Sequence, residues 1–69
     1  MNKGIKKRVL RYLKRRKTGA TVREVVEHIY GKYEHSKYSY IYLLLSYLQA
    51  KGLVERAFEG GAYRWKVKE

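Results

Sequence analysis

Beyond Gly52 the apolar residues stop recurring every third or fourth position and begin to alternate, and Gly60-Gly61 lies in the middle of the alternating stretch. Two consecutive glycines suit a two-residue hairpin turn, which needs positive φ at both central positions. With that pair as the loop, Phe58 faces Tyr63, Arg56 faces Trp65 and Val54 faces Val67, so every large apolar group shares one face of the ribbon. Glu55 then lies opposite Lys66, and Ala57 opposite Arg64, on the other face. A slip of one residue scrambles both faces. A two-stranded ribbon is marginal alone, so Leu53, Val54, Trp65 and Val67 are expected to pack on whatever precedes them.

What precedes them reads as three helices. Ile5, Val9, Tyr12 and Leu13, with Leu10 at the margin, recur at helical spacing and predict a first helix from about Ile5 to Lys17. Thr21 followed by Glu24 predicts a capping box opening a short second helix, with Ala20 and Val25 as its staple. Val22, Val25, Val26 and Ile29 form its buried side, and Gly31 is placed to end it. Ser36 or Ser39 is expected to cap a third helix, whose stripe of Ile41, Leu44, Leu45 and Leu48 runs to Lys51 before Gly52. Of the eight tyrosines, Tyr12, Tyr30, Tyr33 and Tyr63 are expected in the core, and Tyr38, Tyr40, Tyr42 and Tyr47 outside it.

At 69 residues the chain is expected to form one domain, 1–69, around a modest core, with no room for an enclosed substrate cavity. Without cysteine there is no disulfide scaffold, Cys-based zinc finger or thiol nucleophile, and the redox compartment stays open. No apolar run suggests a membrane span, and the basic N-terminus lacks the pattern of a secretory signal. These features predict a compact, soluble, cytoplasmic protein.

The net charge of +11 is unevenly placed. Residues 1 to 23 hold ten basic side chains and no acid, whereas from Glu24 onward seven bases are nearly balanced by six acids. Lys7, Arg8, Arg11, Lys14 and Arg15 fall together opposite the apolar stripe of the first helix, where like charges repel. An outside polyanion would relieve that repulsion. A solvated face is the plainer account, and Lys14 to Lys17 also suit a helix C-terminus.

Catalysis finds no support: there is no Asp and no Cys, and His28 and His35 lack a third ligand at metal spacing. Glu24 and His28, four apart, read as an ordinary helix pair. Gly60-Gly61 lacks the lysine and strand-to-helix context of a phosphate loop. No cofactor, metal or small-molecule substrate is expected.

Helix, link, capped helix, turn, helix and Gly-Gly ribbon, in that order, resemble the winged helix-turn-helix family, an α+β fold of three helices followed by a two-stranded antiparallel wing. The markers are Leu48-Gln49-Ala50-Lys51-Gly52-Leu53-Val54-Glu55-Arg56, like a recognition-helix end and first wing strand, and Thr18-Gly19-Ala20-Thr21-Val22-Arg23-Glu24-Val25, like the opening of the second helix. The chain also looks like the small stand-alone regulators of archaea and their viruses. The resemblance implies a double-stranded DNA-binding transcriptional regulator whose third helix enters the major groove, and a homodimer is expected. It would place Tyr38, Ser39, Tyr40, Tyr42, Leu43 and Ser46 toward base edges and Lys37 near a phosphate. No Arg, Asn or Gln stands at the centre of that face, so the readout implied is soft. Gly60 and Gly61 would let the wing approach the backbone, with Arg64, Lys66 and Arg56 supplying charge. For Lys66 a pair with Glu55, and for Arg56 stacking on Trp65, are the structural alternatives.

Lys3, Lys6, Lys7, Arg11, Lys14, Arg15 and Arg23 are expected to contact phosphates and to join the wing in one cationic wall. Two other readings stay open. Exposed tyrosines also suit RNA, as in a ribosome-associated protein, since some ribosomal proteins share this architecture, and they suit a homodimer or other protein contact, to which Leu43 and Tyr47 would contribute. A membrane-surface role for the first helix is disfavoured because the core needs its apolar side.

Overall fold

A computed structural model describes residues 3–68 and, among them, every side chain except that of Lys3. The elements are α1 (Lys3–Arg15), α2 (Val22–Tyr30), α3 (His35–Ala50), β1 (Val54–Glu59) and β2 (Ala62–Val67). Three helices followed by an antiparallel two-stranded ribbon form a winged helix-turn-helix.

The ribbon has the register that Gly60-Gly61 dictates, with Val54 paired to Val67, Arg56 to Trp65 and Phe58 to Tyr63. Both glycines have positive φ, 61° and 82°, the geometry whose twist matches the flanking strands. Ala20 adds a short third edge: its N–H donates to the Trp65 carbonyl at 2.9 Å, and the Trp65 N–H returns a bond of 2.8 Å. That bridge ties the link between α1 and α2 to the wing.

The core gathers Val9 and Leu13 of α1, Val25, Val26 and Ile29 of α2, Ile41, Leu44, Leu45 and Leu48 of α3, and Val54 and Trp65 of the ribbon. Each buried leucine or isoleucine contributes about 1.5–3 kcal/mol relative to exposure. The apolar face of the ribbon is thus buried only at its base. Val54 and Trp65 rest on the helices, while the Phe58–Tyr63 pair projects past them. Tyr63 was expected in the core, and its exposure follows from this overhang. Tyr40 departs the other way: it packs partly buried against the core instead of standing on the outer face of α3.

Thr21 caps α2 as its sequence requires. Its hydroxyl accepts from the Glu24 N–H at 3.2 Å, and the Glu24 carboxylate accepts from the Thr21 N–H at 2.9 Å. Gly31 follows in the left-handed region. Neither Ser36 nor Ser39 caps α3. The helix starts earlier, with Glu34 at the cap position and no side-chain cap bond, so both serines lie inside the first turns. α1 also ends two residues short of Lys17, because Arg16 leaves the helix to reach Glu24, with its N–H closing a tight turn on Leu13.

Candidate nucleic-acid interface

Three surfaces surround the side chains that could meet a polyanion. The outer side of α3 carries Tyr38, Ser39, Tyr42 and Leu43, all exposed, with Ser46 half-buried. Leu43 is 62% exposed. Lys37 is half-buried, its Nζ 5.4 Å from the centroid of the Tyr30 ring, which fixes a cation beside the start of α3. Tyr38 and Tyr42, one turn apart, stack with centroids separated by 6.4 Å. α3 therefore presents hydroxyls, rings and one methyl-rich side chain, with no charge of its own along the middle of that face.

On α1, Lys7, Arg8, Arg11, Lys14 and Arg15 are all exposed, as the helical spacing requires. Arg8 donates to the carbonyl of Ile29 at 3.1 Å, capping the end of α2. Lys7, Arg11, Lys14 and Arg15 make no ion pair among the described residues; the four ion pairs there use Arg16, Arg23, Arg64 and Lys66. Lys6 is half-buried, with its ammonium 5.9 Å from the Tyr47 ring, and Lys51 lies 5.5 Å from the same ring. The side chain of Lys3 lies outside the described residues. Arg23 is exposed at the start of α2, 4.7 Å above Tyr33 and 3.8 Å from Glu27.

The wing departs most from expectation. Arg64 does not extend toward the tip; it turns back to Glu24 at 3.5 Å. Lys66 lies 4.0 Å from Glu55, the cross-strand pair that the register sets up. Both belong to the ribbon face away from Trp65. Lys66, Glu55 and Val67 of the ribbon line a groove together with Leu13, Lys14, Arg16 and Lys17 at the end of α1. Cations of α1 and the ribbon therefore meet between the end of α1 and the base of the ribbon, and Arg64 does not extend them toward the tip. Gly60 and Gly61 leave that tip open, with Glu59 beside them.

Glu24 organises the junction. Its carboxylate accepts from Thr21 and pairs with both Arg16, at 3.1 Å, and Arg64. The backbone bond from Thr21, and then Arg16 and Arg64, hold its pKa below the ordinary carboxylate value despite partial burial. Arg16 also donates to the Tyr12 hydroxyl at 2.6 Å. Tyr12 stacks on His28 at 4.0 Å, and partial burial, with Arg15 and Arg8 nearby, lowers the imidazole pKa.

The ribbon's other face carries Arg56, for which stacking on Trp65 was the structural alternative, together with Phe58 and Tyr63, which spacing alone did not nominate for binding. The Arg56 guanidinium lies 4.4 Å above Tyr63 and 5.5 Å from Trp65, and it donates to the Tyr42 hydroxyl at 3.5 Å. Phe58 and Tyr63 meet edge to face at 5.0 Å. Their alternation placed them on the apolar face; only the length of the ribbon beyond the helices makes that face accessible.

A protein-family model described as penicillinase repressor matches residues 5–68. The chain belongs to the penicillinase repressor family. That family comprises winged-helix DNA-binding transcriptional regulators, and its match spans all five elements described above. No curated protein and no solved structure matches the chain. For this member of the penicillinase repressor family, DNA is thus the partner to which the cationic and hydroxyl-bearing surfaces are to be related. Among the described residues no helix is long and apolar enough to cross a membrane, and no group of three or more His, Cys, Asp or Glu is placed to hold a metal ion.

Proposed function

We propose that the protein regulates transcription by binding double-stranded DNA as a homodimer, acting where the genome is accessible in the cytoplasm. In this reading α3 enters the major groove with Tyr38, Ser39, Tyr42, Leu43 and Ser46 toward base edges, and Lys37 lies near a phosphate. Lys7, Arg11, Lys14 and Arg15 contact flanking phosphates, and Lys66 adds to them at the base of the wing. The observation that carries the reading is the stripe on α1. Its four outermost cations have no acidic partner among the described residues, although their mutual repulsion disfavours the helix that carries them.

Because α3 offers hydroxyls and a leucine instead of bidentate donors, base discrimination is soft and part of the preference comes from DNA shape. Selection from a random duplex pool, read beside the mass of the complex, tests the proposal. An enriched palindrome bound by two chains is the expected result. Failure to retain any duplex at low salt would overturn it.

A further inference from the structure

Rings run in series from the start of α3 to the wing tip, the exposed ones joined through the buried Trp65 and the guanidinium of Arg56. Tyr38 stacks on Tyr42, and Tyr42 meets Trp65 edge-on at 6.0 Å. Arg56 covers Trp65 and Tyr63, and Tyr63 contacts Phe58. Phe58 is 63% exposed and Tyr63 is 50% exposed, at the end of a ribbon whose tip carries Glu59 and two glycines but no cation. Such a tip is poorly suited to gripping phosphate. Its ring faces are equally poorly suited to a duplex, whose bases expose only their edges.

We propose that Tyr38, Tyr42, Arg56, Tyr63 and Phe58 form a stacking track for unpaired nucleic acid, a binding function beyond duplex recognition. Unpaired bases offer flat π-faces to rings and to a guanidinium, and stacking of this kind tolerates any base. The track is preorganised: Trp65, itself buried, backs Tyr42 and Arg56, and the cross-strand contact fixes Phe58 against Tyr63. Charge selects a polyanion over a second copy of the chain. Arg56 stands at the middle of the track and no carboxylate belongs to it, so two copies meeting there would oppose like charges, whereas a strand brings its own phosphates. Single-stranded DNA and unpaired RNA share the chemistry required.

The test uses the full chain with an oligothymidylate and an oligouridylate of roughly 16 nucleotides, beside a duplex at the same salt. Trp65 is the only tryptophan, so its emission reports occupancy of the track. Both single strands are expected to bind and to alter that emission, and the ratio of their affinities shows which source is preferred. The double variant Phe58→Leu with Tyr63→Leu keeps apolar bulk and removes both faces. It is expected to lose about tenfold or more in single-strand affinity while duplex affinity changes by less than about twofold. Should that variant not fold, Phe58→Leu alone is read the same way, and Phe58→Tyr should retain binding. Absence of single-strand binding by the unaltered chain overturns the proposal, as does equal loss for strand and duplex. Loss of a dimer with single-strand affinity unchanged also overturns it, by assigning the track to a protein contact. Because duplex binding is measured in parallel, its failure is distinguishable from failure of the track.

Discussion

Arg64 of the wing and Glu24 of α2 are joined across 3.5 Å, and the same carboxylate holds Arg16 at 3.1 Å, so one acid fastens the ribbon and the end of α1 to the start of α2. Replacing Glu24 by Gln removes both ion pairs and weakens the capping box, with an expected cost of about 1 kcal/mol. The pH dependence has a definite sign. The folded carboxyl pKa lies below its ordinary value, so the stabilisation is complete above about 4.5 and is lost as pH falls through the folded pKa. Urea unfolding across the acid range should show this loss in the original chain and a flatter profile in Glu24→Gln. Duplex affinity should not fall, because Arg16 and Arg64 are released. A large loss of affinity would mean that Arg64 works only in its paired position.

Gly19 has φ of +83°, and a Cβ there would lie 3.0 Å from the Trp65 carbonyl oxygen, which accepts from Ala20. Gly19→Ala is therefore strained twice, by its backbone conformation and by contact with a carbonyl that is held in place. We expect destabilisation of more than about 1 kcal/mol, measured by chemical denaturation. It should be accompanied by altered Trp65 emission as the bridge to the wing loosens.

His28 stacks on Tyr12 near Arg8 and Arg15, and its depressed pKa means that the folded chain resists protonating it. The contribution of this group is complete above about 6.5 and is lost as pH falls from there through the folded pKa. His28→Gln should remove this part of the pH dependence of the urea midpoint while leaving the limb due to Glu24. A midpoint that declines equally in both proteins would assign the effect to other groups.

The ribbon register and the α2 capping box were legible because each depends on local chemistry: positive φ at Gly60-Gly61, and a reciprocal bond three residues apart. Burial of Ile41, Leu44, Leu45 and Leu48 followed from helical spacing in the same way. What spacing could not show was reach. Phe58 and Tyr63 lie on the apolar face yet project beyond the helices, and Tyr40 finds core at the margin of α3. Arg64 is likewise drawn to Glu24, a partner forty positions earlier in the chain that only the tertiary fold brings near. The α3 cap was missed because Glu34 occupies that position without making a side-chain bond, leaving no signature to read.

Specificity should be shallow. With Tyr42, Leu43 and the serines on the outer side of α3, single base-pair changes in a selected site are expected to cost less than the roughly 1–3 kcal/mol usual for good bidentate contacts. Competition titrations with point-substituted duplexes measure this directly, and penalties at the top of that range would require side chains other than these to read the bases.

The cationic stripe of α1 is tested most directly by the salt dependence of duplex affinity, comparing the unaltered chain with a triple variant carrying Lys7→Gln, Arg11→Gln and Lys14→Gln. If the three side chains neutralise phosphates, the slope of log affinity against log salt becomes shallower by about 2.7, or roughly 0.9 for each contact removed. An unchanged slope would contradict this account and leave the stripe a solvated face.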